Sequence, residues 1–257
     1  MTFVSLHNHS DYSPQDGAQT CKQIATKAAR LNMPAVALTD HGRAGGLLQF
    51  QKECQSAGVK PILGYEAYVA PESHTLKERL ENHSKASYHL TLLAKNDEGL
   101  KNIFRLTSIG WLEGYYYKPR ISLELLKKYS EGIVALSGCG SSRTSIMILE
   151  GRMEEAVSYT RQLREVFKDD FYIEVQNHNI PWQQGLKKAL FILSDKLSIP
   201  IVATQDSHYQ EQEDSKLHNS ICKLVAGDLT FDSDQSWFKS ESEMKDMYNN
   251  SMKYLGY

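Results

Sequence analysis

The sequence lacks the features that mark several common classes of protein. Only four of its 257 residues are cysteines, and no two of them form a Cys-x-x-Cys pair. No apolar run approaches membrane-spanning length, and the N-terminus has no basic region followed by an apolar one, as a signal peptide would. These absences argue against a disulfide-stapled secreted domain and against a membrane protein, and they predict a cytoplasmic protein with free thiols.

Net charge is also nearly absent. The chain has 29 Lys and Arg residues against 31 Asp and Glu residues, which gives a net charge of −2 at pH 7. This balance excludes a globally basic nucleic-acid binder, but it allows a local groove or a metal site that holds phosphates. The apolar fraction of 41% is enough for a sizeable core, and a single α/β barrel commonly has this length.

Runs of β-forming residues alternate with helical patterns along the chain. The seven predicted strands are residues 3–6, 35–38, 61–68, 88–94, 133–136, 171–175 and 199–203. One predicted helix starts after Thr20, where Gln23 completes a capping box. The others are residues 45–57, 98–111, 154–167, 182–197 and a last one from about residue 213. This alternation predicts a parallel sheet with helices outside it, without deciding between a closed barrel and an open sheet.

Two segments depart from the alternation. Residues 72–85 are polar and predict a surface insertion, in which we interpret His74 and His83 as surface residues. Residues 228–239 have little pattern. We therefore expect a barrel over residues 1–226 and an irregular or helical C-terminal extension over residues 227–257.

Side chains that can bind metal ions fall at or near the ends of the predicted strands. They are His7, His9, Asp40, His41, Glu66, Cys139, His178, Asp206 and His208. Functional groups of parallel α/β folds gather at the carboxyl ends of the strands, so this placement would be a large coincidence without a function. His89 fits the pattern less well, because it lies near the start of the fourth predicted strand.

Each of these residues also has an ordinary structural interpretation. His7 and His9 point to the same side of a strand, which suits two ligands of one metal, although an isolated His-x-His is more often a surface pair. A buried Glu66 would be costly unless paired or bound to a metal, which favours the metal interpretation. Asp16 alone is typical of a turn, and Cys139 alone is typical of a core.

Several further residues stay open between two interpretations. We interpret Asp40 as a residue that orients His41, and His218 as structural. His178 could contact a substrate or cap a strand. The aromatic and basic run over residues 115–120, predicted to be a loop, could stack bases and bind phosphates or simply pack under that loop.

Taken in order, the motifs resemble those of the polymerase and histidinol phosphatase (PHP) family. The matching motifs are His7-Asn8-His9, Thr39-Asp40-His41-Gly42, Gly64-Tyr65-Glu66, Tyr88-His89-Leu90, Ser137-Gly138-Cys139 and residues 203–209. Residues 12–18, 92–96 and 117–121 resemble, more narrowly, the N-terminal domain of the alpha subunit of bacterial DNA polymerase III. The resemblance covers about residues 3–245.

The resemblance implies a distorted (β/α)7 barrel with two to three divalent metal ions at its mouth. The nine matching ligand positions are His7, His9, Asp16, His41, Glu66, His89, Cys139, Asp206 and His208. Glu66 would bridge two ions, and a metal-activated water would be held by Glu66, Asp206 and His9. The mixed nitrogen, oxygen and sulfur ligands suit zinc, manganese or iron, and the sequence does not choose among them.

The family's ligand arrangement divides the nine residues among three centres. His7, His9 and Asp206 would complete one centre around Glu66. His89 and Cys139 would complete the second. Asp16, His41 and His208 would hold the third.

The resemblance also implies a function, a 3′–5′ exonuclease that acts on the 3′ end of single-stranded DNA in proofreading. Candidate substrate contacts are Arg43, Lys118, Arg120, Arg143 and His178. Residues 140–143 depart from the family's usual continuation, which would alter the mouth of the site. The C-terminal extension would lead to a polymerase region, and without that region the chain would not polymerise DNA. Partners would be DNA and this region or replisome subunits, and no membrane.

Two alternative functions remain open. The first is hydrolysis of small phosphomonoesters, which basic and aromatic residues at the mouth would argue against. The second is a metal-stabilised module that docks a polymerase, which an apolar outer patch would favour.

Overall fold

A curled sheet forms the centre of the molecule. The computed structural model describes residues 3–227 and 233–253. Within these ranges the strands are β1 (Ala35–Leu38), β2 (Lys60–Val69), β3 (Tyr88–Ala94), β4 (Tyr115–Tyr116), β5 (Lys118–Ile121), β6 (Ile133–Leu136), β7 (Phe171–Gln176) and β8 (Ile201–Thr204). Their order across the sheet is β4-β5-β2-β3-β6-β7-β8, and β1 pairs with β2 beside this path.

The N-terminal segment closes this sheet into a barrel. Ser5 bridges Val36 of β1, and Asn8 bridges Ser207 just beyond β8. The backbone N–H of His9 also donates to the oxygen of Ser207 at 2.8 Å. The segment therefore joins β1 to β8, and the fold is the distorted barrel that the resemblance implied. Residues 3–6 make only bridge contacts, so the regular strand predicted there is wrong.

One strand runs against the predicted parallel arrangement. β3 is antiparallel to both β2 and β6, whereas β1–β2, β6–β7 and β7–β8 are parallel pairs. A parallel neighbour needs a long crossover, which is usually a helix, and residues 70–87 between β2 and β3 contain neither helix nor strand. The chain therefore returns antiparallel. As a result, the start of β3 lies at the same edge of the barrel as the carboxyl ends of its neighbours.

Helices cover the outside of the barrel. They are α1 (Cys21–Arg30), α2 (Leu47–Ala57), α3 (Asp97–Leu112), α4 (Leu123–Lys128), α5 (Arg143–Leu149), α6 (Met153–Phe167), α7 (Pro181–Leu197), α8 (Ser215–Ala226) and α9 (Glu241–Lys253). The predicted capping box starts α1, with the N–H of Gln23 donating to the Thr20 hydroxyl at 3.2 Å. In the described part of the chain, no helix is both long and apolar enough to cross a membrane.

The core lies between the sheet and these helices. Val36 and Leu38 of β1 and Ile173 and Val175 of β7 are fully buried in it. Ile24 of α1 packs into the same core, which continues the apolar stripe seen in the sequence. None of the four cysteines forms a disulfide, in agreement with the predicted free thiols.

Arg120 fixes the segment between β2 and β3. Its side chain is only 1% exposed. The guanidinium donates to the backbone oxygens of Gly114, Ala86, His74 and Leu76. A buried cation with four carbonyl acceptors is part of the packing, so the prediction that Arg120 contacts substrate is wrong for this structure.

The two histidines of this segment are buried, not on the surface. His74 and His83 are 9% and 6% exposed. His74 Nδ1 lies 3.1 Å from the hydroxyl of Ser122, and His83 Nδ1 lies 3.4 Å from the hydroxyl of Tyr88. The prediction of surface residues is wrong, because polar composition alone did not reveal that both rings anchor the insertion to the barrel.

The described part of the predicted C-terminal extension packs onto the barrel. The N–H of His208 donates to the oxygen of Ser236 at 2.7 Å, and the N–H of Phe238 donates to the oxygen of Tyr209 at 2.9 Å. Phe238 is fully buried. Residues 236–238 therefore help to position the strand-end residue His208, while residues 228–232 lie outside the described residues. The division into two domains stays a prediction.

Candidate metal centre

All nine predicted ligands lie together at one mouth of the barrel. They are His7, His9, Asp16, His41, Glu66, His89, Cys139, Asp206 and His208, and atom distances of 2.6 to 3.8 Å connect each of them to at least one other. The direction of β3 explains why His89 fitted the sequence pattern poorly. Because this strand is antiparallel, its start reaches the edge where the other strands end.

Glu66 of β2 is the centre of the cluster. Its Oε2 lies 2.6 Å from His41 Nδ1 and 3.7 Å from His9 Nε2. Its Oε1 lies 3.0 Å from His89 Nδ1 and 3.5 Å from His7 Nε2. Burial alone would raise the pKa of Glu66, but the surrounding imidazoles hold that pKa well below its ordinary value. The carboxylate therefore stays charged, as a bridging ligand must.

Asp206 gathers a second set of ligand atoms. Its Oδ1 lies 3.1 Å from His9 Nε2, 3.2 Å from His208 Nε2 and 3.3 Å from His7 Nε2. The residue has a φ of 52°, which few side chains other than Asn and Asp adopt readily. Backbone strain of this kind is typical of functional sites, where the surrounding structure maintains it.

The remaining ligands complete the two ends of the cluster. Asp16 Oδ2 lies 3.0 Å from His41 Nε2, and its Oδ1 lies 3.8 Å from His208 Nδ1. At the other end, Cys139 Sγ lies 3.3 Å from His89 Nδ1. His218 Nε2 lies 2.8 Å from the backbone oxygen of Asp16, which is a structural contact of the kind that the sequence predicted.

The arrangement of these atoms fits divalent metal ions. Among the described residues, the buried side-chain atoms without a hydrogen bond include His7 Nε2 and Asp16 Oδ1. Leaving such atoms unsatisfied is costly in a protein interior, and metal coordination would satisfy them. Three triads, each with ligand atoms within 4.8 Å of one another, are His7–His9–Glu66, His9–Asp206–His208 and His41–Glu66–His89.

A buried carboxylate that the sequence did not single out supports His7. Glu174 of β7 is 1% exposed, and its Oε1 lies 2.6 Å from His7 Nδ1. It also accepts hydrogen bonds from the hydroxyls of Thr91 at 3.0 Å and Thr204 at 2.6 Å, and from the N–H of Gly138 at 3.1 Å. A carboxylate on the second nitrogen of a ligating histidine fixes its tautomer and orientation. The available signal was an acidic residue within an apolar strand, as for Glu66.

We expect Glu174→Gln to weaken metal binding by about 10- to 100-fold, the usual effect of losing such a supporting group. The amide keeps the size of the side chain but loses the charge that orients His7. Competition with a chromophoric chelator would measure the affinity. Glu165→Gln on the exposed side of α6 serves as the control and should leave the affinity unchanged. Equal affinities for the two variants would contradict the supporting role.

Asp40 contacts two of the ligand residues through the hydroxyl of Ser13. Its carboxylate accepts hydrogen bonds from the N–H of Ser10 at 2.7 Å and from the hydroxyl of Ser13 at 3.0 Å. The Ser13 hydroxyl in turn lies 3.2 Å from His9 Nδ1. Burial raises the pKa of Asp40 to about 6. The same Ser13 hydroxyl accepts a hydrogen bond from the N–H of His41 at 3.0 Å. Through Ser13, Asp40 therefore contacts both His9 and His41, and the prediction that it orients His41 stays a prediction.

Arg43 and Lys118 lie beside the cluster, as a substrate contact would. Both border a recess of about 90 Å³ that His41 also lines. Arg143 instead donates to the backbone oxygen of Pro71 at 2.7 Å and borders a separate cavity of about 490 Å³. Of the predicted basic contacts, Arg43 and Lys118 therefore share this recess with His41, a ligand of the cluster.

His178 is part of the packing. It is 6% exposed, with Nε2 at 2.8 Å from the backbone oxygen of Gln205 and Nδ1 at 3.0 Å from the amide of Gln183. Both ring nitrogens thus have protein partners. Of the two interpretations that the sequence left open, the structural one holds, and the prediction of a substrate contact is wrong.

The barrel is similar in fold to two solved structures. A presumed metal-dependent phosphoesterase from Bifidobacterium adolescentis matches 99% of this chain and 98% of its own, with a TM-score of 0.50 and 12% identity. An amidohydrolase from Chromobacterium violaceum matches 80% of this chain and 87% of its own, with a TM-score of 0.50 and 16% identity. At such identities the likeness concerns the fold alone.

The chain belongs to the PHP domain family, whose model matches residues 5–178. It is 42% identical over 254 residues to the DNA polymerase III subunit alpha of Borreliella burgdorferi and 40% identical over 262 residues to that of Treponema pallidum. These matches cover 96% of this chain but 22% of each relative, so the chain spans about a fifth of the length of those proteins.

Proposed function

We propose that this PHP domain is a metal-dependent phosphodiesterase that removes nucleotides from the 3′ end of single-stranded DNA. The observation that carries the proposal is the complete set of nine ligand-type side chains around Glu66 and Asp206, with buried atoms that make no hydrogen bond. A purely structural cluster would satisfy its polar atoms internally. Buried ligand atoms without a hydrogen bond therefore support a site that binds metal ions.

Two to three divalent ions would be held by these residues. His7, His9, Glu66 and Asp206 form the most closely connected part, with Glu174 fixing the tautomer of His7. Bound ions would supply Lewis acidity, lowering the pKa of water and offsetting the charge of a phosphate. The mixture of imidazole, carboxylate and thiol donors suits zinc, manganese or iron.

The surroundings of the cluster favour a nucleic acid over a small phosphomonoester. Arg43 and Lys118 supply positive charge beside His41, and Tyr115 and Tyr117 are 50% and 77% exposed next to them. Cations together with exposed aromatic rings are typical of sites for single strands. The similarity to DNA polymerase subunits supports DNA as the substrate, and we propose its 3′ end as the point of attack and proofreading as the role.

An exposed apolar patch supports a second candidate, a metal-stabilised module that docks a polymerase region or replisome subunit. Leu217, Leu224 and Val225 of α8 are 61%, 85% and 54% exposed. Exposed apolar patches on a folded domain often mark sites of protein association. This role requires bound metal but no turnover.

The two candidates differ in one assay. The purified protein, loaded with manganese or zinc, is incubated with single-stranded DNA labelled at the 3′ end or at the 5′ end. An exonuclease of the proposed polarity releases labelled mononucleotides at once from the 3′-labelled strand, and shortens the 5′-labelled strand stepwise. Bound metal by elemental analysis without cleavage of either strand would favour the docking module.

A further inference from the structure

A recess lined by aromatic rings and two cations opens beside the metal centre. We call it the aromatic recess. Its lining includes His41, Arg43, Trp111, Tyr115, Tyr117 and Lys118, and its volume is about 90 Å³. Because His41 belongs both to the ligand cluster and to this lining, a molecule in the recess would lie next to the metal centre.

The structure separates the aromatic run into packing residues and exposed ones. Residues 115–120, predicted to be a loop, form β4 and β5, which pair antiparallel around Tyr117. The ring of Tyr116 lies under the guanidinium of Arg120 at 4.9 Å and belongs to the packing. Tyr115 and Tyr117 are half or more exposed, and Tyr117 has a φ of 59°, a strained conformation for its residue type.

Trp111 is fixed to the turn that carries His41. Its Nε1 donates to the backbone oxygen of Gly42 at 2.9 Å, and its ring stacks on that of Tyr115 at 5.5 Å with an angle of 26°. Gly42 has a φ of 61°, and a Cβ there would lie 2.7 Å from Pro119. The absence of a side chain at Gly42 lets Pro119 pack closely against the turn that carries His41. The hydrogen bond from Trp111 to Gly42 fixes the stacked pair relative to this turn.

Two cations of the recess lining lie over aromatic rings. The guanidinium of Arg43 lies over the Trp111 ring at 5.2 Å, and its Nε is buried without a hydrogen bond to any described residue. The ammonium of Lys118 lies over the Tyr68 ring at 5.3 Å, and that ring stacks on His41 at 5.8 Å. Positive charge at this border suits the phosphate that links a base in the recess to the metal centre.

We propose that the aromatic recess is a subsite for the nucleobase of a nucleotide whose phosphate lies at the metal centre. The base stacks on Tyr115 and Tyr117, and Arg43 and Lys118 contact the phosphate or the sugar. The proposal rests on the proposed hydrolysis of DNA and gives it a structural basis for preferring nucleotides. Stacking uses the flat face that every base has, so the subsite accepts all four bases.

Two small molecules that differ only in the base test this proposal. Titration calorimetry on the metal-loaded protein compares thymidine 5′-monophosphate with 2-deoxyribose 5-phosphate. We expect the nucleotide to bind about tenfold more tightly, since stacking on an aromatic side chain is commonly of this size. The double variant Tyr115→Ala and Tyr117→Ala should bind both molecules equally, while Tyr115→Phe and Tyr117→Phe should restore the preference.

Leu112→Ala is the matched control, since Leu112 is 84% exposed beside Trp111 and lies outside the recess lining. It should keep the wild-type preference. Equal affinities of the wild type for the two molecules, or a preference that survives loss of both tyrosine rings, would overturn the subsite. The binding measurement needs no turnover. A nucleotide preference without DNA cleavage would therefore support the subsite and contradict the exonuclease. DNA cleavage without that preference would support the exonuclease and contradict the subsite.

Discussion

A variant with both His9→Ala and Asp206→Ala is expected to lose metal-dependent cleavage of single-stranded DNA. Asp206 Oδ1 lies within 3.3 Å of imidazole nitrogens of His7, His9 and His208. The two substitutions remove ligands from two of the three triads. Metal ions stabilise the transition state of such reactions by several kcal/mol. Their loss should therefore lower the cleavage rate by at least about a thousandfold. Release of 3′-labelled nucleotides measures the rate.

The control for this variant is an acidic residue away from the mouth. Asp195→Ala, on the exposed side of α7, should leave the cleavage rate unchanged. Circular dichroism of the double variant checks that the barrel still folds, because both deleted groups are largely buried. A folded double variant that cleaves DNA at the wild-type rate would refute the assigned site.

Local patterns in the sequence predicted most elements of the barrel but not the direction of β3. The bounds of β3 and β6 agree with the predicted residues 88–94 and 133–136, and α1 begins at the predicted capping box. Strand direction leaves no mark on the residues of the strand itself, since alternation has the same period in parallel and antiparallel pairs. The lack of a helical pattern in residues 70–87 was the available signal.

The cluster itself could be proposed from residue type and position, because strand ends of such a fold meet at one mouth. The burial of individual side chains and their hydrogen-bond partners could not be predicted in this way. Arg120 and His178 have the chemistry of substrate contacts, but long-range packing gives each of them backbone acceptors instead. Glu174 lies inside a strand, and its partners Thr91 and Thr204 are distant in the chain, so its support of His7 emerges only in three dimensions.

Removal of metal ions is expected to lower the melting temperature by about 10 °C. A ligand present at about a thousand times its dissociation constant stabilises the native state by about 4 kcal/mol. For a domain of this size, 1 kcal/mol corresponds to roughly 2–4 °C. Without metal, the unsatisfied atoms of His7 and Asp16 remain buried. Calorimetric scans before chelation, after it, and after metal is restored would measure the shift.

The fall in melting temperature on removal of metal should be larger at pH 8 than at pH 6, since histidine titrates in roughly this range. Burial lowers the pKa of His7, but Asp206, Glu174 and Glu66 together raise it well above its ordinary value. Protonated His7 therefore stabilises the metal-free fold at low pH, and this contribution is lost as pH rises through the raised pKa. Metal binding requires neutral His7 and the thiolate of Cys139, so protons compete with the metal at low pH.

The variant with His9→Ala and Asp206→Ala provides the reference for both effects, since it should show little change on chelation at either pH. A wild-type melting temperature unaffected by chelation at both pH values, in protein shown by elemental analysis to contain metal beforehand, would place those ions outside the cluster. A shift of equal size at both pH values would mean that His7 and Cys139 do not exchange protons for metal. The change in melting temperature on chelation, measured at two pH values, therefore distinguishes a site that binds ions through these ligands from a cluster that does not bind metal.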